Sequence, residues 1–174
     1  VWHMKMQSKI ITLALLPLLC LGAATILIGQ VRISQVVTES IENGLRGSAV
    51  SVRDTLSYVG DGEFGLNEDK LYKGEFNVSD AVEIADDIKK AADTDITVFY
   101  GDTRYMTSVL DEQGNRVVGT KAGDQVIEKV LKNGEELFST NVDVVGHPYF
   151  GYYLPLYETG TTNIVGMVFA GMPQ

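Results

Sequence analysis

Two hydrophobic patterns meet in this chain near residue 32. Residues 10–28 (IITLALLPLLCLGAATILI) hold no charged side chain over 19 positions, about the span of a bilayer's hydrocarbon core. Beyond that run, apolar residues recur instead of crowding together. Ile33, Val37, Ile41, Leu45, Ala49, Val52, Leu56 and Val59 follow at spacings of three and four, the repeat of one face of a long helix. Asn43-Gly44 and Gly47 are its soft spot, where a local bend is expected. At ~1.5 Å per residue the stretch 33–59 is about 40 Å long and overhangs a sheet strand of ~17–20 Å. The overhang implies a second copy of the helix, hence a homodimer.

The remaining elements are shorter. Residues 60–77, with Gly60, Gly62, Gly65 and Gly74 among charges, read as a loop with a short strand at 71–76. A helix is expected from Ser79 or Asp80, with Asp80 and Glu83 at capping-box spacing, to about Ala92. Strands follow at 96–100, 103–110 and 116–121, separated by turn chemistry at Gly101-Asp102 and 111–115. Asp124 caps a short helix, 125–132, that Asn133-Gly134 ends. Strands at 137–145, 149–156 and 163–171 close the order, with turns at Gly146-His147-Pro148 and Thr159-Gly160. This is an α+β arrangement with one antiparallel sheet between helical layers.

Charge orients the pattern. Lys5 and Lys9 precede the apolar run and all 23 acidic residues follow Arg32, so the positive-inside bias puts the N-terminus in the cytoplasm. The expected layout is a cytoplasmic arm at 1–9, a transmembrane helix at 10–31 and an extracytoplasmic domain at 32–174. Three of the 14 basic residues precede position 33, leaving 11 against 23 acidic ones and an outer charge of −12. A polyanion needs Lys and Arg to displace its counterions, so nucleic acid is excluded as a partner. A cleaved leader is the rival reading of the N-terminus. The apolar run exceeds the usual ~7–15 residues and continues past Gly22, Ala23 and Ala24, which favours a retained anchor. Cys20 lies in that run, so no disulfide staples the outer domain.

Candidate chemistry is mostly subtractive. The histidines are His3 and His147, too few for a His-rich metal site or a Ser-His-Asp relay. No glycine-rich phosphate loop is present, and 111–114 is a hairpin rather than a calcium loop. No catalytic residue, metal or cofactor is expected. Binding is better supported. Tyr149, Gly151 and Tyr153 share one strand face, where the glycine leaves a shallow space between two hydroxyls; alternatively the tyrosines pack on a helix. Arg104, Arg116 and Lys121 lie at ends of neighbouring strands and could hold a carboxylate, or each could form a surface pair. Thr107, Thr120 and Tyr100 add hydroxyls.

The blocks 97–104 (TVFYGDTR), 107–116 (TSVLDEQGNR), 119–121 (GTK) and 149–156 (YFGYYLPL) resemble the single Cache sensor domains of bacterial methyl-accepting chemotaxis proteins. The closing 165–173 segment is similar to the strand that leads such domains back toward the membrane. The resemblance spans roughly 30–172 and implies a long membrane-emerging helix and a PAS-like five- to six-stranded antiparallel sheet with a small-molecule pocket on one face. In relatives that bind citrate or C4-dicarboxylates, a basic residue stands where Arg116 does. Gly119, Gly151 and Tyr153 fall where further basic groups would be, so a monocarboxylate, an amino acid or a polar neutral ligand fits at least as well. The resemblance implies a chemoreceptor's sensing domain. The same domain could serve a histidine kinase or cyclic-dinucleotide enzyme, and a membrane-anchored adhesion or scaffold protein is the reading from another class.

Overall fold

The computed structural model describes residues 2–174, with side chains described at 15–30 and 32–174. The expected cytoplasmic arm, the start of the expected anchor at 10–14, and Val31 thus lie outside the described side chains. One helix, α1 (Trp2–Tyr58), runs through both the apolar segment and the periodic stripe. The chain divides into two compact units between Ser40 and Ile41. In the first unit, Leu15, Leu16, Leu18, Leu19, Leu21, Ile26, Leu27 and Ile28 are all exposed. Among the described residues, α1 is the one helix long and apolar enough to cross a membrane.

In the second unit the stripe is covered. Leu45, Ala49, Val52 and Leu56 of α1 are buried with Ile96, Val98, Met106, Tyr152, Leu154, Val168 and Ala170 of a sheet. That sheet has five antiparallel strands in the order β5-β4-β8-β7-β6: β4 (Asp95–Tyr100), β5 (Thr103–Thr107), β6 (Leu137–Val144), β7 (His147–Tyr157) and β8 (Ile164–Pro173). Helix α2 (Val82–Ala92) packs against β4 and β5 and buries Ala85. The helices therefore lie against one sheet face, as the alternation of apolar residues along the strands requires.

Several local expectations are corrected. Residues 60–77 fold as a small three-stranded sheet, β1 (Phe64–Asn67), β2 (Lys70–Lys73) and β3 (Phe76–Asn77). Its first turn is Glu68-Asp69, both at positive φ, 48° and 61°, a conformation that acidic residues advertise poorly. Lys73 is buried beneath this sheet and donates to the carbonyls of Ser57, Val59 and Gly60, a cation on the C-terminal end of α1. Helix α2 begins after Ala81 without a side-chain cap, because Asp80 instead accepts from Lys70 and Asn77. The segment 116–121 is not a strand: it makes only the bridges Leu110 to Arg116 and Thr103 to Lys121, and Gly119 at φ 78° breaks the pleat. The β6–β7 turn is Val145-Gly146, at φ 54° and 81°, which leaves His147 and Pro148 inside β7. The expected helix at 125–132 is a short α3 (Asp124–Val126) followed by a π-helix, Ile127–Lys132.

Candidate functional site

The sheet face turned away from α1 is organised in rows across the strands. Thr107, Thr97, Phe169, Tyr153 and Leu137 are paired in turn from β5 to β6. A neighbouring row runs Arg104, Phe99, Met167 and Pro155, and another runs Asp95, Gly171, Gly151 and Ser139. The segment 108–123 and the π-helix cover these rows: Val109, Val117 and Val130 are buried with Phe99, Tyr149, Tyr153, Met167 and Phe169. The shallow space expected beside Gly151 is filled. A Cβ there would stand 2.7 Å from the Phe169 ring and 2.8 Å from Val142, and one at Gly171 would stand 2.2 Å from the same ring. The two glycines seat Phe169, which in turn stacks on Tyr153 at 4.8 Å.

Two charges are buried on this apolar face. Asp95 is 1% exposed and fully engaged, accepting from Ser108 at 2.7 Å and Tyr149 at 3.0 Å and pairing with Lys89 of α2 at 2.8 Å. Burial and that carboxylate push the Tyr149 hydroxyl well above its ordinary pKa. Arg104 is 9% exposed and nearly the opposite case. Its guanidinium lies 5.4 Å from the Phe99 ring centre and makes one long 3.5 Å contact to the Val117 carbonyl. Its Nε has no partner among the described residues. Desolvation lowers the Arg104 pKa from its ordinary value, the cost of a cation held where water is scarce. Burial also pushes the Tyr153 hydroxyl up to about 12. At the β5 edge, Arg104 borders a cleft of about 540 Å³ together with Lys70, Asp80, Tyr105, Val118 and Gly119.

The sequence-derived candidates separate into two groups. Arg104, Thr107, Tyr149 and Tyr153 come together on the covered face, where Thr107 shares a 2.7 Å hydroxyl contact with Thr97. The other four lie elsewhere. Arg116 donates to Asp86 of α2 at 2.9 and 2.6 Å and to the Thr107 carbonyl at 2.8 Å. Lys121 pairs with Asp102 on the surface. Thr120 donates to the Val117 carbonyl. Tyr100 meets Tyr105 edge-on and packs against the helix-side core. Asp95, Thr97 and Ser108 belong to the face and were not among the candidates. Strand alternation was the available signal for the first two, since they flank Ile96 and so point away from the apolar side. No cluster of His, Cys, Asp or Glu that could hold a metal occurs among the described residues.

The single Cache domain 3 family model matches residues 76–174, from β3 to the end of the sheet. Cache domains are extracellular small-molecule sensors found in chemoreceptors, histidine kinases and other proteins. No curated protein and no solved structure matches the chain. The matched segment exceeds half of the 174 residues and contains the whole five-stranded sheet with its two buried charges, so the chain belongs to the single Cache domain family.

Proposed function

We propose that this chain is the ligand-sensing part of a bacterial chemoreceptor of the methyl-accepting type, and that its ligand is a small monocarboxylate held by Arg104. The observation that carries the ligand class is the buried guanidinium with an unpartnered Nε. A carboxylate would supply the missing counter-charge through paired hydrogen bonds. Asp95 is already engaged by Lys89, Ser108 and Tyr149, so a second acidic group on the ligand would find repulsion rather than a partner. In this reading Tyr153, Tyr149 and Thr107 frame the carboxylate, the apolar residues receive its tail, and the cleft at the β5 edge is the way in. Arg116, Thr120, Lys121 and Tyr100 support the frame from outside it.

The topology follows the charge bias: residues 1–9 in the cytoplasm, 10–31 across the membrane and 32–174 outside. Ile33, Val36 and Val37 are exposed on α1, which supports pairing of this helix with that of a second copy. Resemblance of four residue blocks to chemotaxis receptors favours that output over a kinase. The test is a thermal-shift screen of the full chain in nanodiscs against acetate, propionate, lactate and pyruvate, with succinate for contrast. A ligand that binds only the folded state raises Tm. At least one monocarboxylate is expected to do so in the wild type and to lose the effect in Arg104→Met, with succinate inert. A shift that survives in Arg104→Met, or no shift from any of the four, overturns the reading.

A further inference from the structure

Tyr152 and Tyr153 are consecutive on β7 and face opposite sides of the sheet. Tyr153 stacks on Phe169 beneath the π-helix side. Tyr152, on the helix side, donates its hydroxyl to Glu136. The same carboxylate accepts from Arg46 of α1 at 2.8 and 3.2 Å. Burial and the Glu136 carboxylate push the Tyr152 hydroxyl up to about 12, and the Arg46 hydrogen bonds hold Glu136 below its ordinary pKa. Glu136 is thus a joint between β7 and α1.

The joint follows directly on the π-helix, Ile127–Lys132. The π-helix contacts β7 and β8, and its Val130 is buried with Tyr149, Tyr153 and Phe169. It closes one residue further back than an α-helix does, Asn133 N–H donating to the Glu128 carbonyl at 3.2 Å, and the chain leaves it through a six-residue closure from Glu135 N–H to the Lys129 carbonyl at 3.0 Å. Such a segment carries one residue more than the α-helix it interrupts. Releasing that residue would advance the following chain by ~1.5 Å and ~100°. Glu136 lies two residues beyond Gly134, itself at φ 71°. A displacement of that size exceeds what hydrogen bonds of 2.8 and 3.2 Å tolerate before they are lost.

We propose that residues 124–136 form a two-register cover over the ligand face, and that Glu136 transmits the register to α1 through Arg46 with Tyr152 as its guide. This rests on the reading of the covered face as the ligand site. A molecule entering beside Tyr153 presses on Val130 from below, and an α register relieves that pressure at the expense of the clasp on α1. The bistable element is the cover, and both the ligand face and α1 bias it.

The test needs no ligand. Amide hydrogen exchange is measured on the full chain in nanodiscs for wild type, Glu136→Gln, a deletion of Glu128, and the two combined. Glu136→Gln should speed exchange of α1 residues 43–49 about threefold, the scale of a half-exposed ion pair. Deleting Glu128, an exposed residue of the cover, should produce the same change on α1, and the combination should add nothing further. If the deletion unfolds the sheet, the pair Arg46→Glu with Glu136→Arg decides, because it should restore exchange in both α1 and the cover that each single reversal disturbs. An α1 unmoved by the deletion, additive effects, or a failed swap overturns the relay. A thermal shift intact beside such a result leaves the ligand site standing and removes the relay alone.

Discussion

The two faces of the five-stranded sheet are built from the same strands and differ in what they bury. Toward α1 and α2, Ile96, Val98, Met106, Leu154, Val168 and Ala170 are fully buried against aliphatic residues. The hydroxyl there, on Tyr152, reaches a half-exposed carboxylate at the rim. On the opposite face, Asp95, Thr97, Arg104, Thr107 and Ser108 are buried among Phe99, Phe169, Met167 and Val130. Period-two alternation lets one strand serve both ends. The helix side supplies stability by area removed from water. The covered side carries groups whose burial is unfavourable unless partnered, and one of them, Arg104, is only partly so, its Nε having no partner among the described residues.

The largest effects should separate the faces outright. Leu154→Ala, on the helix side, removes a fully buried side chain and is expected to cost about 3 kcal/mol in urea unfolding, transfer and cavity together. Arg104→Met, on the other face, should run the opposite way. Replacing an uncompensated buried cation by an apolar side chain of similar length is expected to stabilise the unliganded protein by about 1 kcal/mol. A cost above ~1 kcal/mol for Arg104→Met would mean that the guanidinium is a structural member and that both faces are cores.

This division was partly legible beforehand. The α1 stripe stood out because Leu45, Ala49, Val52 and Leu56 keep helical spacing and are buried on one side. Tyr149 and Tyr153 shared a face by strand period alone, and Arg104 drew notice as a cation in an acidic domain. Arg116 drew the same notice, yet its partner Asp86 lies 30 residues earlier on another element, a pairing that no local pattern encodes. Nothing local marks Asp95 as a shared acceptor, because Lys89, Ser108 and Tyr149 converge on it only after folding. The π-helix was invisible since one extra residue hardly alters a helical apolar repeat over so short a segment. The small β1–β3 sheet was missed because its strands have two to four residues, too few for a period to register.

The smallest expected effect lies where the two faces are tied together. Arg116, from the covering segment, pairs with Asp86 on α2, so it links the cover to the helix side without entering either core. Hydrogen bonds from Arg116 hold the Asp86 carboxyl below its ordinary value of 3.8. A carboxyl depressed in the folded state contributes stability that is present above the unfolded value and lost as pH falls through the folded one. Both side chains are partly exposed, at 31% and 46%, so screening limits the contribution to about 0.5–1 kcal/mol. Wild type should therefore exceed Arg116→Met by that amount at neutral pH, with the gap closing as the pH drops below 3.8. Urea midpoints at neutral pH and on either side of that value measure it. A gap that persists undiminished in acid would assign the effect to the Arg116 bond with the Thr107 carbonyl, at 2.8 Å, rather than to the ion pair. No gap at neutral pH would mean that packing alone holds the cover to α2, and that the ligand-facing side is free to move without loosening the helix-side core.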